Sequence, residues 1–110
     1  MEQSLQPSRY ESDAVVVTGS TRGIGAETAR RFAAEGAAVV VTGRSTDDGE
    51  AVVDEIDDDG GTAVFVEADM RSLDDIAALF EATVAEFGGL DILVNNAAVQ
   101  TNTASDEASM

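Results

Sequence analysis

Three glycines separate a run of β-branched residues from a stretch with helical spacing in the segment VVVTGSTRGIG. They are Gly19, Gly23 and Gly25. Such glycines allow a sharp turn out of a strand, a close approach of the backbone to a phosphate, and tight packing of the following helix. The first turn of that helix carries unpaired N–H groups and the positive end of the helix dipole, which together favour anions. The segment therefore predicts a phosphate-binding turn, and an ordinary strand-to-helix turn is the alternative.

Polar residues also follow the other apolar runs of the chain. Arg44 and Ser45 come after AVVVTG, Asp69 and Met70 come after TAVFVEA, and the segment NNAA at 95–98 comes after LDILV. The carboxyl ends of parallel strands meet at one edge of a sheet, where open α/β sheets bind their ligands. We therefore expect these residues to lie near the phosphate-binding turn.

The elements that must position these residues alternate regularly along the chain. Four apolar runs are separated by helical stretches, which indicates βαβ crossovers and a parallel sheet. Right-handed crossovers place helices on both faces. The sequence thus predicts an α/β fold, a Rossmann-type doubly wound parallel sheet with four strands in the order 3-2-1-4 and three helices. The predicted strands are Ala14–Thr18, Ala38–Thr42, Thr62–Val66 and Leu90–Val94, and the predicted helices are 24–35, 47–59 and 72–87.

Apolar stripes on the second and third helices predict how these helices pack. Residues three and four positions apart share one face of a helix, so each stripe is interpreted as core rather than as a ligand-binding surface. Ser72 is expected to cap the third helix. The stripes are Val52, Val53 and Ile56 on the second helix, and Leu73, Ile76, Phe80, Val84 and Phe87 on the third.

The composition excludes several kinds of site. The chain has 110 residues, of which 22 are Asp or Glu and six are Arg; Lys, His and Cys are absent, and the formal net charge is −16. Ser-His-Asp and Cys-His sites, zinc fingers, disulfide frameworks, Schiff-base lysines and phosphate-loop lysines are therefore excluded. The apolar fraction of 44% is enough for one compact core but not for two domains.

The surplus of acid also bears on partners and on the solvent. It predicts no nucleic-acid partner and no membrane partner, because both surfaces are anionic. The acidic run 57–59 at the negative end of the second helix is tolerated best in salt. A halophilic protein of a salt-rich cytosol is the favoured interpretation, and an acidic mesophilic protein is the alternative. Residues 1–13 form a polar extension without a signal-peptide stretch, so a cytoplasmic location is expected.

Three motifs in the same order resemble the amino-terminal part of the short-chain dehydrogenase/reductase family. They are TGSTRGIG, Asp69 after the third strand, and NNAA after the fourth. In the first motif, Gly19, Gly23 and Gly25 match the family's Gly-x-x-x-Gly-x-Gly turn. Ala98 stands where that family usually has Gly. The resemblance covers residues 14–110 and implies a partial dinucleotide-binding domain. It further implies an NAD(P)-dependent oxidoreductase that interconverts carbonyls and secondary alcohols, with a 3-oxoacyl compound or a sugar as substrate.

The resemblance also assigns roles to individual residues. Asp69 would accept a hydrogen bond from the adenine amino group beside the Met70 backbone. Asn96 and Ala97 would pass near the ribose and the nicotinamide, whereas Asn95 would tie neighbouring strands together. The residues implied to line the pyrophosphate and the adenosine ribose are Gly19, Ser20, Thr21, Arg22 and Ile24.

The residues after the second strand favour NADP over NAD. An NAD site places a carboxylate there to hold the ribose 2′-hydroxyl, but the segment TGRS contains no acid before Asp47. Arg44 and Arg22 could together clamp a 2′-phosphate, because Arg offers a planar fork of donors. Basic residues at these places resemble those of the family's NADP users. An NAD site, with Arg44 as a solvated loop residue, is the alternative.

The proton-transfer residues of the family cannot be assigned on this chain. That set is a Ser, a Tyr, a Lys four residues after the Tyr, and an Asn; here the single Tyr, Tyr10, precedes the first strand and Lys is absent. We interpret the chain as a truncated, cofactor-binding half of such an enzyme, and a non-catalytic nucleotide-binding or interaction module is the alternative. A phospho-acceptor domain is disfavoured because Lys is absent, and a methyltransferase because no acid follows the second strand. The fourth strand should be an exposed edge that favours self-association.

Overall fold

A four-stranded parallel sheet forms the centre of the structure. The computed structural model describes residues 13–96. The sheet order is β3-β2-β1-β4 and every neighbouring pair is parallel, which confirms the predicted topology. The strands are β1 (Ala14–Val17), β2 (Ala38–Gly43), β3 (Thr62–Glu67) and β4 (Ile92–Val94), and the helices are α1 (Gly23–Ala34), α2 (Thr46–Asp58) and α3 (Leu73–Phe87).

The valine runs of β1 and β2 are buried on both faces of the sheet. Successive side chains of a strand point to opposite faces, and here helices cover both. The odd-numbered valines share a core cluster with α1 and α2, whereas Val16 and Val40 share a second cluster with Leu79 of α3. The predicted stripe of α2 is buried as expected. The sheet is therefore doubly wound, with α1 and α2 on one face and α3 on the other.

The predicted core stripe of α3 is wrong in part. Leu73 is 82% exposed, Phe80 36% and Val84 52%, whereas Leu79 and Thr83 are the buried residues of the helix. The sequence pattern treats Thr83 as polar, but its hydroxyl donates to the carbonyl oxygen of Leu79 at 2.8 Å. A hydroxyl satisfied within its own helix can be buried at little cost. The line through Leu79 and Thr83 therefore faces the sheet. Of the predicted stripe, Phe87 packs against the same core cluster and Ile76 is half-buried.

Serine side chains cap two helices. The Ser72 cap of α3 is predicted from the sequence, whereas the Ser45 cap of α2 is not. The side chain of Ser45 accepts a hydrogen bond from the Asp48 amide, and that of Ser72 accepts one from the Asp75 amide. Asp57, Asp58 and Asp59 occupy the C-terminal end of α2, whose last turn has no basic residue. Carboxylates there face the negative end of the helix dipole, so this helix end is electrostatically unfavourable at low salt.

The strand β4 lies at one edge of the sheet. It is shorter than predicted, and a backbone bridge precedes it: the Asp91 amide donates to the Ala14 carbonyl oxygen at 2.9 Å, and the Ala14 amide donates to Asp91 Oδ2 at 2.8 Å. Leu93 on this strand is 48% exposed. Between residues 13 and 96, no helix has the length and apolar character needed to span a bilayer. The predictions for residues 1–12, Ala97 and Ala98 lie outside the described residues.

Candidate functional site

The glycine turn after β1 is shaped by close contacts that exclude side chains. A Cβ atom on Gly25 would meet the carbonyl oxygen of Gly19 and would lie 2.8 Å from Nδ2 of Asn96. That Asn96 amide donates to the same Gly19 oxygen at 3.3 Å. Gly25 therefore lets α1, the turn and the end of β4 meet at one point. This contact is more specific than the helix-to-sheet packing that the sequence predicts for Gly25.

Gly23 presents bare backbone at the start of α1. Its φ is +63°, a left-handed conformation that glycine adopts without strain. Apart from its chain neighbours and the backbone of its own helix, no heavy atom of residues 13–96 lies within 4 Å of the place where its Cβ would stand. The backbone of Gly23 is therefore exposed, with space in front of it for a ligand.

The polar side chains Thr18 and Ser20 serve the fold of the turn. The Thr18 hydroxyl lies 3.2 Å from Oδ1 of Asn95 and accepts from the Asn96 amide at 2.8 Å, so Asn95 and Asn96 tie β4 to β1. Ser20 is fully buried. Its hydroxyl donates to the Val17 carbonyl oxygen at 2.6 Å and accepts from the Thr42 amide at 2.9 Å. Both hydroxyls therefore join strand ends, although the motif places Ser20 at the predicted phosphate site.

The N-terminus of α1 differs from those of the other two helices. Both α2 and α3 begin with a seryl cap and carry two Asp residues in the first turn. Within residues 13–96, α1 has neither: its N-cap, Arg22, makes no capping hydrogen bond, and its first turn has no acidic residue. The first amides of a helix need an acceptor. The start of α1 therefore has donors and a positive dipole end available for an anion.

A cavity of about 530 Å³ lies beside this turn, at the carboxyl ends of β1, β2 and β3. The structure brings seven predicted residues to it, together with four that the sequence reasoning missed. Gly23, Ile24, Gly25, Ser20 and Asn96 belong to the adjoining turn and strand end rather than to the cavity wall. The predicted residues on the wall are Gly19, Thr21, Arg22, Arg44, Ser45, Asp69 and Met70, and the additional ones are Thr42, Gly43, Ala68 and Arg71.

The cavity gathers positive charge in an acidic chain. Arg22, Arg44 and Arg71 line it, which is half of the six arginines of the sequence. Within the described range 13–96, Arg22 and Arg44 form no ion pair, whereas Arg30 pairs with two glutamates away from the cavity. Two guanidinium groups are therefore available to an anion at this edge of the sheet.

Asp69 and Arg71 form a clasp on the cavity wall. Oδ1 of Asp69 accepts from the Arg71 backbone amide at 2.9 Å and from Nε at 3.1 Å, and Oδ2 accepts from Nη2 at 3.0 Å. These hydrogen bonds, the side-chain one foremost, lower the pKa of the Asp69 carboxyl from 3.8 to about 2, and the charge of Arg44 acts in the same direction. The Asp69 amide donates to Oδ2 of Asp75 at 2.9 Å, which fixes the backbone.

The residues that sequence reasoning missed had weak signals. Thr42 and Gly43 end a predicted strand, so their place at the carboxyl edge follows from the topology. Arg71 stands two residues after Asp69, and a guanidinium at that separation in a loop can reach the carboxylate. No repeat or motif marks it. Among the described residues, no cluster of acids could hold a metal ion.

A second cavity lies at the opposite ends of the helices. Its volume is about 360 Å³ and it is formed by the C-terminal ends of α1 and α2, with Arg30 and Asp59 on its wall. It has no helix N-terminus on its wall. The cavity beside the glycine turn is therefore the stronger candidate for an anionic ligand.

Comparison with known proteins gives one consistent family. Residues 13–110 match the family model described as short chain dehydrogenase. The chain is 46% identical over 97 residues to 3beta-hydroxysteroid dehydrogenase 1 of Eggerthella lenta, an alignment that covers 87% of this chain and 37% of that protein. The chain thus spans about 37% of the length of this curated relative.

Solved structures agree with the family model. A dehydrogenase/reductase from Sinorhizobium meliloti 1021 superposes with a TM-score of 0.79 at 45% identity, covering 86% of this chain and 38% of that one. A variant of actinorhodin polyketide ketoreductase, solved with NADPH, superposes with a TM-score of 0.74 at 39% identity, covering 76% of this chain and 32% of that one.

Proposed function

Because the chain belongs to the short chain dehydrogenase family, we propose that the cavity beside the glycine turn binds NADP. The chain then forms the cofactor-binding part of an oxidoreductase. Enzymes of this family bind NAD or NADP as the cofactor. The choice between the two, and the place of each part of the cofactor, follow from the residues of this chain.

The uncapped start of α1 is the observation that carries this proposal. Its first amides and dipole end suit a pyrophosphate, which is doubly anionic and has acceptor oxygens on both phosphates. Gly23 has no side chain and open space in front of it, so a phosphate can approach the backbone. The carbonyl of Gly19 is held by Asn96, which keeps the turn in place. The residues present therefore fit the group that the family binds.

The charge at the end of β2 supports NADP over NAD. Arg44 follows the strand and Arg22 lines the same cavity. Neither is engaged in an ion pair with any residue from 13 to 96. A 2′-phosphate at this place would receive charge-assisted hydrogen bonds from one or both guanidinium groups. No acid stands between β2 and Asp47, so the carboxylate of a typical NAD site is missing.

The role of this chain in catalysis is to bind and orient the cofactor. When bound, the dinucleotide supplies hydride transfer to or from a carbonyl carbon. These 110 residues contain no Lys, and their single Tyr precedes β1, so the proton relay of the family has no counterpart here. We propose nucleotide binding without turnover for the 110 residues alone. For the whole protein we propose reduction of a small carbonyl compound, such as a 3-oxoacyl compound or a sugar.

Calorimetric titration of the purified chain tests the cofactor assignment. ADP-ribose 2′-phosphate should bind at least roughly tenfold more tightly than ADP-ribose, because a hydrogen bond to a charged group contributes about 1.5–3 kcal/mol. Arg44→Gln should lose most of that preference and leave the affinity for ADP-ribose unchanged. Arg30→Gln, which removes an equal charge away from the cavity, is the matched control and should keep the preference. Equal affinities of the unaltered chain for both ligands would refute the NADP assignment.

Self-association is a further part of the proposal. The edge strand β4 exposes Leu93, and the outer face of α3 exposes Phe80 and Val84. Exposed strand edges and apolar faces favour association. Sedimentation velocity should therefore show a concentration-dependent rise in mass at high salt, where repulsion between the acidic copies is screened. A single monomeric species at every concentration would contradict it.

A further inference from the structure

The geometry of the clasp between Asp69 and Arg71 limits the number of further hydrogen bonds that the Asp69 carboxylate can accept. A carboxylate offers about four acceptor positions. Oδ1 of Asp69 uses two of them on the backbone amide and Nε of Arg71, and Oδ2 uses one on Nη2. One acceptor position remains on Oδ2. Arg71 therefore fixes the carboxylate in one orientation, with a single position left for a donor from a ligand.

The clasp also controls the charge at this part of the wall. Asp69 and Arg44 line the same cavity, and the charge of Arg44 contributes to the lowered pKa of the Asp69 carboxyl. A carboxylate in the same cavity as Arg44 would repel any phosphate that Arg44 binds. The guanidinium of Arg71 lies 3.0 Å from Oδ2 and offsets the carboxylate charge.

We propose that Arg71 is a positioning residue that sets the preference for a 2′-phosphorylated nucleotide, and that it acts through Asp69. The inference rests on the proposed function. With Arg71 in place, Asp69 orients the base and presents almost no net charge to the 2′-phosphate on Arg44. Without Arg71, the carboxylate stays near the phosphate as an uncompensated negative charge. The preference for the phosphorylated ligand then falls.

A double-mutant cycle separates this role from direct contact between Arg71 and the phosphate. The readout is the ratio of the Kd for ADP-ribose to the Kd for ADP-ribose 2′-phosphate, measured calorimetrically in about 0.15 M KCl. A purely structural defect weakens the binding of both ligands to the same extent and leaves this ratio unchanged. Arg71→Gln should lower the ratio roughly threefold to tenfold, the effect of a unit charge several ångströms from a phosphate in a partly solvated pocket. Asp69→Asn should raise it, because Arg71 is then uncompensated.

The combined variant Asp69→Asn, Arg71→Gln should return the ratio to that of the unaltered chain. In that variant two uncharged side chains replace an ion pair that has no net charge. Arg71→Lys should give a ratio close to that of the unaltered chain, because it retains the positive charge. Arg30→Gln is the control for the change in net charge and should leave the ratio unaltered. Far-UV circular dichroism confirms that each variant is folded before it is titrated.

Each remaining outcome overturns a defined part of the reasoning. If Arg71→Gln keeps the ratio, Arg71 has no part in the preference, although the proposed function stands. If the combined variant stays as low as Arg71→Gln, Arg71 contacts the phosphate itself and the role through Asp69 is wrong. If the unaltered chain binds neither ligand, the proposed function fails and the inference fails with it.

Discussion

Substitution of Gly25 by Ala tests the contact that joins the glycine turn, α1 and β4. The added methyl group would coincide with the carbonyl oxygen of Gly19 and lie 2.8 Å from Nδ2 of Asn96. Neither atom can yield alone, because Asn96 donates to that same oxygen at 3.3 Å. The turn must therefore move away from the helix, and we expect Gly25→Ala to destabilise the fold and to displace the phosphate-binding amides.

The expected loss of stability follows from two unfavourable contributions and one favourable one. Overpacking costs about 1–3 kcal/mol. We expect a cost near the upper end of this range for Gly25→Ala, because the atom in contact belongs to the backbone and cannot rotate away. Loss of the Asn96 hydrogen bond adds about 1 kcal/mol. The better helix propensity of Ala returns at most about 1 kcal/mol. The net loss is about 3 kcal/mol, a large share of the roughly 5–15 kcal/mol that stabilises a domain of this size.

Urea unfolding followed by circular dichroism measures this loss, and the chain offers a matched control. At Gly89, no heavy atom of the described residues other than those of its chain neighbours lies within 4 Å of the added Cβ. The φ angle of Gly89 is not among the positive ones. Gly89→Ala should therefore be neutral or stabilise the fold by up to about 1 kcal/mol, because it reduces the entropy of the unfolded chain. The two substitutions are chemically identical, but only Gly25→Ala should lower the free energy of unfolding.

The same variants connect the fold to the site. Gly25→Ala should weaken the binding of both ADP-ribose ligands, whereas Gly89→Ala should leave both affinities unchanged. If Gly25→Ala unfolds at the same urea concentration as Gly89→Ala, the close contact with Gly19 does not exist in solution. The reasoning on the shape of the turn would then be refuted.

Three further predictions concern packing, titration and salt. Leu79→Ala should lower the free energy of unfolding by about 3 kcal/mol, because Leu79 is buried. Val84→Ala should hardly change it, because a half-exposed Val loses little burial and Ala is the better helix former. Equal urea midpoints of the two variants would show that the outer face of α3 is packed. Carbon-13 NMR should give Asp69 a pKa of about 2, rising towards 3.8 in Arg71→Gln. Because the folded pKa is the lower one, the clasp stabilises the fold fully above about pH 4 and ceases to do so as the pH falls through about 2; an unshifted Asp69 in the unaltered chain would exclude the clasp. Raising KCl from about 0.1 M to about 2 M should raise the urea midpoint, because salt screens the acidic surface and the carboxylates at the end of α2; a constant or falling midpoint would count against the halophilic interpretation.

The sheet could be predicted from the sequence because its signals are local and strong. Uninterrupted valine runs indicate strands buried on both faces, and glycines follow each helix. The edge β4 was predicted two residues too long. Its first positions are used by Asp91, which pairs with the backbone of Ala14 through both its amide and its side chain. A polar residue in that role cannot be recognised from periodicity.

The packing of α3 could not be predicted because two faces of the helix compete. Leu73, Phe80 and Val84 make the more apolar stripe, yet Leu79 and Thr83 are buried. The hydrogen bond from Thr83 to the Leu79 carbonyl removes the cost of burying its hydroxyl. A hydropathy pattern does not include this hydrogen bond. It therefore assigns Leu73, Phe80 and Val84 to the core and misses Thr83.

The candidate site was predictable in outline and not in detail. The topology places the ends of β1, β2 and β3 together, and this brings Arg44 and Asp69 to one cavity with the glycine turn. The motif predicts Ser20 at the phosphate, but its hydroxyl forms hydrogen bonds with the backbone of β1 and β2. A motif alone does not contain these contacts. Arg71 shows the opposite limit: its contact with Asp69 depends on the shape of a loop rather than on a pattern.

Titration of the nitrogen-15-labelled chain with NADP, followed by amide chemical shifts, locates the bound cofactor residue by residue. Saturable shifts should be largest at the start of α1, from Gly23 to Gly25, and smaller at Arg44 and Asp69. If NADP binds and leaves those three amides unchanged, or shifts chiefly the C-terminal ends of α1 and α2 around the second cavity, the cofactor does not bind at the glycine turn.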